Sequence, residues 1–108
     1  MSVYIEIAST LMDLEAELRR IGQWDAEPPS PTALASVEPF CVDTMTLAQW
    51  LQFIFIPRMY ALAEAQQLPP GRCEIQPMAE EYFNGSKLDG LPLLRHIARL
   101  DALINSEK

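Results

Sequence analysis

Residues 46–67 read TLAQWLQFIFIPRMYALAEAQQ, and the reading of this stretch decides the fold. It mixes strong helix formers with a proline at 57 and an arginine at 58. Thr46 is placed to cap a helix, and Gln49, three residues later, can reach back to the cap, the reciprocal pattern of a capping box. Met45 and Trp50 take the positions of a hydrophobic staple across that start. On a helical wheel Leu47, Trp50, Leu51, Ile54, Ala61, Leu62 and Ala65 share one wide face, with Phe53 and Phe55 on its flanks. Gln49, Gln52, Tyr60 and Gln67 form the opposite side, with Ile56 among them. A helix covered on most of its circumference is expected at the centre of the fold. Pro57 cannot donate to the Phe53 carbonyl and its ring crowds that turn, so a kink is expected there. Pro69, Pro70 and Gly71 stop the helix.

Outward from this segment the pattern stays helical. Tyr4, Ile7, Leu11, Leu14, Leu18 and Ile21 alternate three and four apart, which predicts a first helix over 3–21. Gly22 supplies the left-handed residue that ends it, with Arg19 and Arg20 in the last turn. QWDAEPPSP at 23–31 breaks the helix, and Trp24 in this loop is expected to fold back over apolar surface. Ser30 and Pro31 open a short turn as cap and first helical residue. Pro77 opens another short helix that Gly85 ends, and Asp89 can cap a last helix over 91–105 carrying Leu93, Ile97, Leu100 and Ile104 on one stripe. Val37 and Val42 are too few to support a sheet. The expectation is an all-α fold: one compact domain over 1–108, three main helices plus two short ones around the kinked central helix.

Composition narrows the function classes. A chain of 108 residues supports one domain. Fifteen acids against 8 bases leave a net charge of −7, and the bases are scattered. Direct nucleic-acid binding is not expected, because phosphate contacts require a basic stripe. The start, MSVYIEIAS, lacks the basic region of a signal peptide, and no apolar run is long enough for a bilayer. Cys41 and Cys73 form no metal-type pair and read as small buried hydrophobes in a cytoplasmic protein.

Chemistry-bearing patterns are sparse. His96 has no second ligand at helical spacing, and no glycine-rich phosphate loop is present, so neither metal nor cofactor is expected. Adjacent carboxylates at Glu80 and Glu81 point about 100° apart on a helix and cannot form a dyad. No nucleophile stands beside a local base, and the chain is not expected to be an enzyme.

Arg58 is the most informative polar residue. The wheel places it among Ile54, Ala61 and Leu62, and a buried guanidinium needs an acceptor. Asp43, Glu38, Glu80 or the Phe53 carbonyl are the expected partners. Asp43, just before the helix, has a second reading as an acceptor of turn amides. The candidate binding residues are therefore Arg58, Asp43, Trp50 and Phe40. They support two alternatives: an accessory module that binds another protein, and a cleft for a small anionic or apolar ligand formed by Arg58 with the aromatics Trp24, Trp50 and Phe40. Homodimerisation through Ile56, Phe53 and Tyr60 stays open.

With EPF at 38–40, DTM at 43–45, WLQ at 50–52, IPRM at 56–59 and RLDALI at 99–104 in this order, the chain resembles the YqcC-like family of small bacterial proteins. The resemblance implies a compact helical bundle and carries over no catalytic residue. It also implies a link to tRNA pseudouridine synthases, beside which members are often encoded. A synthase of that class needs a catalytic aspartate on a large mixed sheet domain. This chain is thus expected to be a partner of such an enzyme rather than the enzyme.

Overall fold

The computed structural model describes residues 2–41, 43–69, 71–84 and 91–106, and every regular element among them is helical. Helix α1 spans Val3–Arg20 and α2 spans Pro31–Leu34, followed by a 3-10 turn at Pro39–Cys41. A continuous helical run then passes from α3 (Leu47–Trp50) through a π turn (Leu51–Phe55) into α4 (Ile56–Glu64). Helices α5 (Gln76–Phe83) and α6 (Leu91–Ser106) complete the chain. The expected ends at Pro70 and Gly85, the cap at Asp89 and the residue Val42 lie outside the described residues.

The caps form as local chemistry dictates. Ser2 accepts from the Tyr4 amide at the start of α1. At its end Gln23 N–H reaches the Leu18 carbonyl at 2.8 Å and Gly22 N–H the Arg19 carbonyl at 3.1 Å. Gly22 sits at φ 73°, so these are the two bonds of a Schellman motif. Ser30 Oγ accepts from Ala33 N–H, with Pro31 in the first turn of α2. Thr46 and Gln49 make the full capping box, at 3.1 and 2.9 Å.

Helix α1 packs along both α4 and α6, and α5 lies against α6. The α1 stripe of Ile7, Leu11, Leu14 and Leu18 is wholly buried, as are Leu93, Ile97, Leu100 and Ile104 of α6. Trp24 is half-buried against this core as expected, and the Arg19 guanidinium lies 4.6 Å over its ring.

The interruption before Pro57 takes a form that the wheel did not contain. Ile56 N–H bonds to the Leu51 carbonyl, five residues back, so the helix widens by one residue just where the proline removes a donor. The extra residue turns everything downstream by about 100° relative to an unbroken α-helix. The buried positions become Leu47, Leu51, Phe55, Met59 and Ala63, each four apart, with Ile56 and Gln52 beside them. Ala61 and Ala65 face outward instead.

Three expectations are thereby corrected. Ile56 is in the core at 3% exposure, not on a polar side, and gives no support to a self-association patch. Gln52 is buried at 7%. Its side-chain oxygen accepts from Asp25 N–H and its amide donates to the Asp25 carbonyl, both at 2.8 Å, which pins the 23–31 loop to the π turn. Arg58 is exposed, and its guanidinium has no ion pair or hydrogen bond among the described residues. Neither Asp43, Glu38, Glu80 nor the Phe53 carbonyl partners it.

Candidate functional site

The π turn, the 3-10 turn, Pro69 and residues 72–75 border an open cleft of about 280 Å³. Phe40, Trp50, Phe55, Met59 and Ile75 supply its apolar wall, and Arg58, Arg72 and Glu74 its polar side. The register shift that releases Arg58 from the core sets it at this cleft, while Met59 packs beneath.

The aromatic residues form one cluster. Trp50 and Phe55 stack with centroids 5.3 Å apart and planes at 26°, and Phe40 meets Trp50 edge-on at 4.8 Å and 76°. Phe40 reaches this place from an unusual backbone: it lies at φ 56° and Cys41 at φ 50°, both left-handed and neither a glycine. Such positions cost about 1 kcal/mol or more each and persist where the surroundings hold them. Here the surroundings are a set of hydrogen bonds from Ser36, Asp43 and Thr44. Ser36 Oγ donates to Asp43 Oδ1 at 2.5 Å and accepts from Glu38 N–H, while Thr44 Oγ1 donates to the Ala33 carbonyl at 2.8 Å.

Three of the four expected binding residues, Phe40, Trp50 and Arg58, thus meet in one cleft. Neither Asp43 nor Trp24 lines it: the Asp43 carboxylate bonds to Ser36, and the Trp24 ring lies under the Arg19 guanidinium.

The opposite wall was missed from sequence. Arg72 pairs with Glu74 at 3.0 Å, leaving Arg58 as the cation of the wall without a carboxylate partner among the described residues. Residues 73–76 are held by helix α6. Asn105 accepts from Cys73 N–H at 2.8 Å and donates to its carbonyl at 2.7 Å. Asp101, buried at 9% exposure, accepts from Cys73 Sγ, Ile75 N–H and Gln76 N–H at 3.1, 3.2 and 2.8 Å. Cys73 is therefore a half-buried hydrogen-bonding group and not simply a small hydrophobe, whereas Cys41 is buried as expected. The available signal was the placement of Asp101 and Asn105, four apart, beside the apolar stripe of α6.

A family model described as DUF446, tRNA pseudouridine synthase C, matches residues 6–103. The chain belongs to this YqcC-like family. It is 33% identical over 103 residues to uncharacterized protein YqcC of Escherichia coli, covering 95% of this chain and 94% of that protein. The solution NMR structure of E. coli YqcC matches with a TM-score of 0.86 at 31% identity, over 100% of this chain and 92% of the other. An uncharacterized protein of Haemophilus influenzae is 41% identical over 71 residues, 66% of this chain and 67% of that protein. A segment of a Pectobacterium carotovorum protein named tRNA pseudouridine synthase C is 40% identical over 65 residues, 60% of this chain but 17% of that protein.

In this YqcC-like protein the cleft offers recognition groups: aromatic faces, a thioether, and a guanidinium. Among the described residues no three His, Cys, Asp or Glu side chains cluster as a metal site would require, and no helix is long and apolar enough to cross a membrane. A second shallow cleft lies between α1 and α4, lined by Tyr4, Ile5, Ala8, Tyr60 and Glu64. Burial pushes the Tyr60 phenol above its ordinary value of 10.0, and the Glu15 carboxylate adds to the rise.

Proposed function

We propose that this protein is a non-enzymatic accessory module that docks on a tRNA pseudouridine synthase in the cytoplasm. The observation that carries the reading is the relative from P. carotovorum, in which a similar segment is one part of a much longer protein of that name. In E. coli the protein similar over nearly its whole length has about the size of this chain. Two modules joined in one organism and separate in another are expected to work side by side in both.

Charge supports the same reading. An enzyme that grips tRNA presents cationic surface to the phosphates. A module of net charge −7 is complementary to such a surface, and complementary charge steers association and fixes orientation.

Affinity capture of the tagged chain at low and high salt tests this. The expected result is a pseudouridine synthase in the eluate at low salt and its loss at high salt. Capture of the bait alone under both conditions would overturn the reading.

A further inference from the structure

We propose that the cleft bounded by Phe40, Trp50, Phe55, Arg58 and Ile75 binds a small aryl or branched-alkyl carboxylate. The apolar body lies against the aromatic wall and the carboxylate meets the Arg58 guanidinium. This site is independent of the accessory reading and stands or falls without it.

Four observations converge. The wall is apolar and aromatic, with Trp50 and Phe55 stacked and Phe40 edge-on. Apolar concavities with a few convergent polar groups are where small ligands bind. Arg58 lines the wall with its charge uncompensated among the described residues, although the protein carries a net charge of −7. The neighbouring Arg72 pairs with Glu74 at 3.0 Å, so Arg58, Arg72 and Glu74 together give the lining a net charge of one positive unit, which favours a monoanion. The Phe40 ring joins the wall from two consecutive left-handed residues, and backbone strain of this kind clusters at ligand-binding sites.

Size limits the ligand. About 280 Å³ is the liquid volume of about nine waters, room for a molecule of about ten non-hydrogen atoms. Guanidinium and carboxylate can pair through two parallel hydrogen bonds, which an amide of the same shape cannot match. Affinity for so small a ligand is expected at a Kd of about 1 mM.

The test titrates the isotope-labelled 108-residue chain with 3-phenylpropionate and, separately, with its neutral amide, following backbone and indole N–H signals by NMR. Saturable shifts are expected at Phe40, the Trp50 indole and Ile75, with the carboxylate about tenfold tighter than the amide. In Arg58→Gln, exposed and thus folded normally, that tenfold difference should vanish, and Arg58→Lys should keep part of it. No saturable shift at about 10 mM ligand would overturn the proposal. So would equal affinity for acid and amide in the wild-type chain, or shifts confined to the Tyr4 and Tyr60 cleft.

Discussion

The Asp101 carboxylate, on α6, caps a helix to which it does not belong: its Oδ2 accepts from Gln76 N–H at 2.8 Å, at the first turn of α5. Helix α5 has no capping side chain of its own, since Ile75 stands at its N-cap. The first-turn amides of a helix need acceptors, and the bound anion also faces the positive end of the helix dipole. Asp101 supplies both and at the same time ties residues 73–76, one wall of the cleft, to the core.

Removing that acceptor should leave buried donors unsatisfied. Asp101→Ala is expected to cost about 2–3 kcal/mol, and Asp101→Asn less, because one oxygen remains to accept. Urea unfolding should show a lower midpoint with an unchanged slope. An Ala variant as stable as the wild type would show that the cap contributes nothing.

Gln52 performs the corresponding task for the 23–31 loop through its paired bonds to Asp25. Gln52→Leu keeps the volume but loses both partners, so a loss of about 1–2 kcal/mol is expected. Amide exchange at Asp25 should accelerate far more than at Leu14. Equal acceleration at both would mean global destabilisation rather than release of the loop.

Helix α4 ends in a second Schellman motif, in which Gln67 N–H reaches the Leu62 carbonyl at 2.8 Å and Gln66 lies at φ 55°. A glutamine in the left-handed region is strained where glycine is not. Gln66→Gly is therefore expected to stabilise the protein by about 0.5–1 kcal/mol, and Gln66→Ala to leave it near the wild type. A fall in melting temperature for the glycine variant would contradict the argument.

Tyr60 predicts an alkaline dependence. Its folded-state value is raised above 10.0 by burial and then by Glu15, so the native state holds the phenolic proton more tightly than the unfolded chain does. The stability this contributes is whole below about pH 10 and is lost as pH rises through the folded value. Melting temperatures measured across that window should fall less steeply in Tyr60→Phe. Parallel curves would exclude Tyr60 as the cause.

Part of the cleft lining was legible in the sequence. Phe40, Trp50 and Arg58 do share a cleft, and the residues around Thr46 form the expected cap. The role assigned to Arg58 was inverted, however: a wheel with uniform period placed it inside, and the π turn places it outside. Residues 72–75 were invisible as a wall because their position depends on Asp101 and Asn105, about thirty residues further along the chain.

The stretch 46–67 shows where the division lies. By itself the sequence determined the helical class, the start at Thr46, the α1 stripe and the glycine end at Gly22, since each is settled by partners within a few residues. Only the tertiary structure decided the phase of the helix beyond Pro57. Proline forbids one hydrogen bond but does not choose between a kink and an inserted residue. Packing makes that choice, because the inserted residue buries Ile56 and Met59 against the bundle and leaves the Arg58 charge in water.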